Sequence, residues 1–431
     1  MTPAELLKQL IRFDTTNPPG RERECIEFLA EVLAEAGIES RMYAAAAERP
    51  NLVARLKGGE RPPIVLQGHV DVVTTAGQRW SRPPFGGEEA GGYIWGRGAL
   101  DMKNGVAMMT TALIRAKADA DAGRLPGDVI LCALVDEEAG GVQGAAWLCE
   151  QHPELFAGAR YTIGEGGGYS FELGGRRFYP VMLSEKRGCQ IRVTLRGPGG
   201  HGSLPARGGA VARTAALLSA LNGTRLPVHV TPVARMMLEA TRDALDGDFR
   251  RRYAALLDPG AADAVLDQLG AEGRTLDALL HNTVNPTIIE GGTKINVIPS
   301  EVHVWLDGRL LPGFGPEDML RELRSVIGAE PELEVVKVSP AQPEPDLSRF
   351  PLLAGIIREL DADGVPIPYL VSGGTDGRHF AQLGLRTYGF TPARMPPGFD
   401  GWSTIHDADE RIPVDALEFG AEAIYRALLR I

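Results

Sequence analysis

The run Val129-Ile130-Leu131-Cys132-Ala133-Leu134-Val135-Asp136-Glu137-Glu138 decides the architecture. An apolar run with no polar alternation suits a strand buried on both faces, and such strands belong to sheets covered by helices on either side. Three successive carboxylates follow at the strand's end, where open α/β sheets keep their sites. Side by side they repel one another unless solvent or a cation relieves them. A solvated acidic loop and a cation site are both open readings of this stretch alone.

The texture holds on either side of that run. Residues 22–36 place Cys25, Phe28, Leu29, Val32, Leu33 and Ala36 on one helical face, with Gly37 as the stop. Leu52–Leu56 and Ile64–Leu66 read as further strands, and about Gly105–Lys117 reads as a helix ahead of Val129. Short apolar strands separated by helices predict a mixed-sheet, three-layer α/β domain. At the amino terminus, Thr2 reads as an N-cap, Pro3 as the first helical residue and Glu5 as the closing member of a capping box. That is a helix start rather than an export signal, so the cytoplasm is the expected compartment.

A chain of 431 residues is long for one core and predicts two domains. The pattern changes after Lys186. Gln190–Arg196 alternates strictly, with Ile191, Val193 and Leu195 on one side, as a strand with one wet face does. A helix over about Gly208–Leu221, strands at Thr283–Glu290 and Glu301–Leu306, a helix opened by Pro316 and a strand at Leu333–Val338 complete a β-α-β-β-α-β order. That order predicts a small ferredoxin-like sandwich over 188–340, inserted between 1–187 and 341–431, with a helical insertion of its own at about 226–280. Pro340–Asp346 reads as the return linker. Leu352–Leu360, Thr387–Phe390 and the amphipathic Val414–Ile431 resume the first texture.

Composition narrows the function classes. The net charge is −11, from 45 basic and 56 acidic side chains, which argues against a nucleic-acid partner. No apolar run is long enough to span a bilayer. Cys25, Cys132, Cys149 and Cys189 lack Cys-x-x-Cys spacing and read as buried apolar residues, neither disulfides nor thiolate ligands. No Gly-x-Ser-x-Gly elbow and no phosphate-binding fingerprint occurs.

Five places put metal-binding or proton-transfer groups after apolar strands or in loops. In Gly68-His69-Val70-Asp71, His69 can ligate while Asp71 holds its other ring nitrogen; a strand-end His beside a solvated Asp is the plain alternative. In Gly96-Arg97-Gly98-Ala99-Leu100-Asp101-Met102-Lys103, Asp101 heads a helix and can bridge two ions or simply cap the helix. In Asp136-Glu137-Glu138, neighbouring side chains diverge, so Glu138 can ligate while Glu137 faces a reacting water. Glu165 stands among glycines, and His406 stands alone in a polar loop; neither says much by itself. Taken together they offer imidazole and carboxylate donors, the set suited to Zn²⁺, Co²⁺ or Mn²⁺. One shared carboxylate with two further ligands per ion would make a two-metal hydrolytic centre, its ions roughly 3.5–4 Å apart.

The order of these motifs resembles the M20 family of metallopeptidases, aminoacylases and desuccinylases, and the resemblance spans nearly the whole chain. It implies one ion held by His69, Asp101 and Glu165 and a second by Asp101, Glu138 and His406, with Zn²⁺ the first expectation. It further implies Glu137 as the general base and Asp71 as the residue that orients His69. The inserted sandwich would be a lid and dimerisation domain, making a homodimer. In Gly199-Gly200-His201-Gly202-Ser203-Leu204-Pro205, His201 would stabilise the oxyanion. Asn296, in Lys294–Pro299, and Arg309, in Asp307-Gly308-Arg309, would contact the substrate, Arg309 at its carboxylate through a planar fork. Gly373, Gly374 and Thr375 precede a helix and suit an anion; an ordinary Gly-rich turn is the plain alternative there, a capping or turn His for His201, and a sheet-surface salt bridge for Arg309. The long 226–280 stretch is similar to the branch holding carboxypeptidase-S-like and N-acyl-amino-acid-cleaving members. The expected activity is cleavage of an N-acyl amino acid or short peptide bearing a free α-carboxylate. A desuccinylase or deacetylase of amino-acid biosynthesis, and a catalytically silent metabolite-binding relative, are the alternatives; an intact Glu137 speaks against the silent one.

Overall fold

Val129–Val135 is almost wholly out of solvent, no residue in it exceeding 2% exposure. A computed structural model describes the whole chain except Ala271, Glu272, Gln342 and Asp400, so parts of the expected insertion and of the expected linker Pro340–Asp346 lie outside the described residues. The chain divides into two compact units, Met1–Leu183 with Pro345–Tyr369 and Thr375–Ile431, and Ser184–Glu344 with Leu370–Gly374.

The first unit is built on a mixed sheet. Its strand order is Ser40–Ala44, Pro50–Leu56, Gly127–Leu134, Arg61–His69, Tyr161–Gly164, Arg386–Gly389, Arg176–Glu185 and Gly364–Val371, with Phe171–Leu173 beside Arg176–Glu185. Arg61–His69 runs parallel to both Gly127–Leu134 and Tyr161–Gly164, and the latter runs parallel to Arg386–Gly389. On one face Val53, Val65, Ile130, Cys132 and Leu134 pack with Ala145, Leu148, Phe156 and Phe380. Burying each of the larger aliphatic side chains stabilises the unit by about 1.5–3 kcal/mol. The helix Lys103–Asp121 packs on the sheet and on the helices Pro3–Arg12 and Val414–Leu428. The last of these approaches so closely at Gly420 that a Cβ there would sit 2.1 Å from Met108 Sδ.

Local chemistry explains the ends of these elements. Thr2 and Glu5 form the expected reciprocal cap on Pro3–Arg12. The buried Lys103 donates from Nζ to the carbonyls of Leu10 and Phe13, 2.9 and 2.8 Å away, and so fastens the end of the first helix to the head of Lys103–Asp121. All four cysteines are free and buried.

The second unit carries an antiparallel sheet in the order Thr283–Gly291, Glu301–Leu310, Arg187–Arg196, Glu332–Val338. Burial alternates along Glu301–Leu310, as a sheet wet on one face requires. Cys189, Ile191, Val193 and Leu195 meet Leu217, Met319 and Leu323 from the helices Ala210–Gly223 and Pro316–Ile327. The first of those helices runs through Asn222 and Gly223 rather than ending before them. The helices Pro232–Ala244, Gly247–Ala255, Pro259–Leu269 and Gly273–Leu280 fill the stretch read as a helical insertion. Among the described residues no helix is long and apolar enough to cross a membrane.

Candidate metal centre

Strand register assembles the site. His69 lies opposite Leu134 and Leu66 opposite Ile163, so three parallel strands end at one level. The residues at and just beyond those ends, His69, Asp136–Glu138 and Glu165, are thereby delivered to one place. His69 is 1% exposed, and its Nε2 lies 3.2 Å from Asp101 Oδ1 and 3.6 Å from Glu165 Oε2. Its Nδ1 donates to the main-chain carbonyl of Asp71 at 2.9 Å. A carbonyl only accepts, so Nδ1 carries a proton, and Nε2 is the ring atom turned toward the carboxylates and any cation among them. The Asp71 carboxylate, expected to be the orienting group, stands further off at 3.5 Å. It also accepts from the backbone N–H groups of Glu137 and Glu138, at 3.1 and 3.2 Å, and from Asn17 Nδ2 at 2.9 Å. The short loop from the buried strand end, not the sequence spacing, decides that partnership.

The second oxygen of Asp101 faces the late histidine: Oδ2 is 3.2 Å from His406 Nε2, which is 3.3 Å from Glu138 Oε2. In each of the two groups, His69 with Asp101 and Glu165, and Asp101 with Glu138 and His406, the potential ligand atoms lie within 4.8 Å of one another. The capping alternative for Asp101 does not hold. Met102 takes the N-cap position of Lys103–Asp121, and no side chain caps that helix end.

These donors fit divalent cations on two grounds. Glu138 Oε1 is buried without a hydrogen-bond partner, a costly state for a carboxylate unless a cation meets it. The electrostatics also call for positive charge. Burial would lower the pKa of His69, yet hydrogen bonds to Asp101, Asp71 and Glu165 hold it well above the ordinary imidazole value. Asp101 and Glu138 push His406 up to about 10. Burial opposes ionisation of Asp101, but the two histidines hold its carboxyl below the usual range. In short, the site gathers protons where a metal would supply the charge.

Glu137 belongs to neither group. Burial, followed by the nearby charges of Glu165 and Asp376, raises its pKa well above the usual carboxylate value, and Arg378 Nη1 lies 3.3 Å from its Oε1. Sequence reasoning did not single out Arg378, although it stands three residues beyond Thr375. Asp376 is buried, and burial pushes its carboxyl up to about 7.

Behind Glu137 lies a buried ionic network whose members stand far apart in the sequence. Asp136 has φ +69°, a left-handed conformation that costs a non-glycine residue about 1–3 kcal/mol unless its surroundings fix it. Its carboxylate accepts from Arg49 Nη1 at 2.8 Å, Gln143 N at 3.0 Å and Asn17 Nδ2 at 3.2 Å. Arg49 also grips Glu22, with Nη2 2.6 Å from Oε1, and both side chains are nearly or fully buried. Removing one partner of such a network leaves buried charge unpaired. Arg49→Met is therefore expected to lower unfolding free energy by about 3–5 kcal/mol, measured by denaturant titration. A loss within the range of an exposed pair, below about 1 kcal/mol, would show that the network does not brace this turn.

The remaining predicted residues fall mostly in the second unit. His201 pairs with Val297 in a two-stranded ribbon, and Gly202 N donates to Asn296 O at 2.9 Å, so two motifs nearly a hundred positions apart are neighbours. His201 Nδ1 lies 2.7 Å from Ser203 Oγ, and both His201 and Asn296 are exposed. Arg309 turns its fork onto Asp307, with Nε to Oδ1 and Nη2 to Oδ2 both at 3.0 Å. Gly373 and Gly374 also lie in this unit, whereas Thr375 lies in the first, where its hydroxyl accepts from Gly377 N at 3.1 Å.

The chain is similar to known proteins. A profile of peptidase family M20/M25/M40 matches residues 65–430. The chain is 27% identical over 374 residues to a Dictyostelium discoideum protein described as "Probable carboxypeptidase S-like 2", covering 82% of this chain and 68% of that one. It is 26% identical over 380 residues to the Bos taurus N-fatty-acyl-amino acid synthase/hydrolase PM20D1, covering 84% of this chain and 73% of that one. The crystal structure of the M20 family metallo-carboxypeptidase Sso-CP2 from Sulfolobus solfataricus has the same fold, with a TM-score of 0.68 at 18% identity, covering 99% of this chain and 98% of that one.

Proposed function

Because the chain belongs to peptidase family M20/M25/M40 and is a metal-dependent peptidase or amidohydrolase, we propose that it hydrolyses the amide bond of an N-acyl amino acid or short peptide bearing a free α-carboxylate. The observation that carries this reading is Asp101, whose two oxygens each face a different histidine at 3.2 Å. In this proposal His69, Asp101 and Glu165 hold one divalent ion, and Asp101, Glu138 and His406 hold the other, Zn²⁺ suiting the donors best and Co²⁺ or Mn²⁺ also fitting. When bound, such ions polarise the scissile carbonyl and make water nucleophilic near neutral pH. Glu137 takes the proton of the attacking water and passes it to the leaving nitrogen. Asp71 fixes the His69 tautomer through its carbonyl and the Glu137–Glu138 turn through its carboxylate.

The second unit acts as the lid in this reading, and as the surface for dimerisation into a homodimer. The nearness of His201 and Asn296 within one ribbon supports a joint role, His201 at the carbonyl oxygen and Asn296 at the substrate. Arg309 takes the substrate carboxylate, aided by Gly373, Gly374 and Thr375. Its present partnership with Asp307 is more than a third exposed on both sides, and such pairs are worth at most about 1 kcal/mol, so exchange for a substrate is cheap. An exposed edge strand, Thr283–Gly291, with Ile288 and Ile289 more than half exposed, supports the dimer. The relatives' names point to a carboxypeptidase and to N-fatty-acyl amino acids, both of which place a carboxylate beside the cleaved amide.

Turnover of an N-acyl amino acid and of its C-terminal amide, with Zn²⁺, Co²⁺ or Mn²⁺ supplied, tests the carboxylate. The free acid should be preferred by about 10²-fold or more in kcat/KM, because a site built to pair a charged group discriminates against the analogue that lacks it. Arg309→Ala should erase most of that preference. Equal rates on acid and amide would defeat the proposal.

A further inference from the structure

The ligands of the two groups are held by different means. His69 and Glu165 sit at the ends of paired strands. His406 sits in an irregular loop, is half exposed, and has φ +64°, a left-handed conformation seldom kept by a side chain of its size without outside support. That support is visible as a continuous chain of hydrogen bonds. The carbonyl of His406 accepts from Gln78 Nε2 at 2.7 Å. Gln78 Oε1 accepts from Arg97 Nη2 at 2.8 Å and from Trp80 Nε1 at 3.1 Å, which fixes the amide so that its NH₂ faces His406. Arg97, 1% exposed and 5.2 Å from the centre of the Trp80 ring, donates from Nη1 to Glu410 Oε2 at 2.7 Å. The fully buried Glu410 gathers the backbone N–H groups of Gly98, Leu100 and Asp101 at 3.2, 2.6 and 3.1 Å. The chain therefore ends on the residue that presents a carboxylate to His406.

We propose that Gln78, Arg97 and Glu410 are positioning residues for the second ion: together they set the distance between His406 and Asp101. The loop's other hold agrees, since Asp409 Oδ1 accepts from Ser81 N and Oγ at 2.7 and 2.9 Å, so Gln78 and Ser81 clasp the His406–Asp409 turn from one side. His69 and Glu165 take no part in the chain. Losing its last link should thus weaken one ion and spare the other. This inference rests on the two-ion reading above.

The decisive substitution is Gln78→Glu, which keeps acceptors for Arg97 and Trp80 but removes the donor to the His406 carbonyl; Gln78→Leu removes both. Zn²⁺ is titrated into the metal-free full chain against a competing chelator, and stepwise affinities are read by calorimetry. The wild-type chain should bind two ions. Both variants should bind the first within about twofold of wild type and the second about 10–100-fold more weakly, the range typical of an outer-shell change. Wild-type affinities at both steps, or equal weakening of both, would overturn the proposal. A wild-type chain that binds one ion would overturn the two-ion reading itself, and the positioning role with it.

Discussion

Glu137→Gln is expected to reduce kcat by about 10²–10⁴-fold, the usual contribution of a positioned general base, while metal content stays at the wild-type value. The substitution keeps volume and leaves an oxygen for Arg378, whose Nη1 lies 3.3 Å from Glu137 Oε1. What it removes is the capacity to accept and return a proton. Glu137 belongs to neither candidate ligand group, so neither ion loses a donor. Its backbone N–H is tied to Asp71 Oδ1 at 3.1 Å, a bond that the side-chain change does not touch. Metal analysis beside steady-state kinetics separates the two effects. A kcat within tenfold of wild type would remove Glu137 from the reaction, and a fall in bound metal would make it a ligand instead.

The parts of this molecule legible in the sequence are those set by period and local chemistry. The apolar run Val129–Val135, the alternation of Ile191, Val193 and Leu195 and the capping box at Thr2 each reflect a rule that acts over a few residues. The candidate ligands were legible for a related reason: His69, Asp136–Glu138 and Glu165 follow strands, and parallel strands in register end together. What escaped was everything whose partner lies far along the chain. Arg49 is one basic residue among many until Asp136, 87 positions later, is seen 2.8 Å away. Glu410 reads as a loop acid until three backbone N–H groups more than three hundred positions earlier are found on it. Gln78, neutral and without a motif, carried no signal at all. The bond from His69 to the Asp71 carbonyl was missed because spacing shows which side chains share a face, not where a carbonyl turns once the strand ends.

Asp101 should be the least replaceable residue of the site. Glu165→Ala and His406→Ala each take a donor from one group only and are expected to leave a chain that still binds about one ion tightly. Asp101 belongs to both groups. Asp101→Ala removes a donor from each at once, and it also withdraws the negative charge that lies 3.2 Å from both imidazoles. Outer-shell changes already weaken metal sites by about 10–100-fold, so loss of a shared ligand should exceed that for both ions and take activity to background. Metal analysis after dialysis against a weak chelator reads the result directly. The fold should survive, because the backbone of this loop is held by Glu410 through Asp101 N, which alanine retains. Far-ultraviolet circular dichroism like that of wild type, with both ions gone, is the expected outcome. A variant that kept even one ion at wild-type affinity would mean that Asp101 serves a single metal, and the two groups would then have to be read as independent sites.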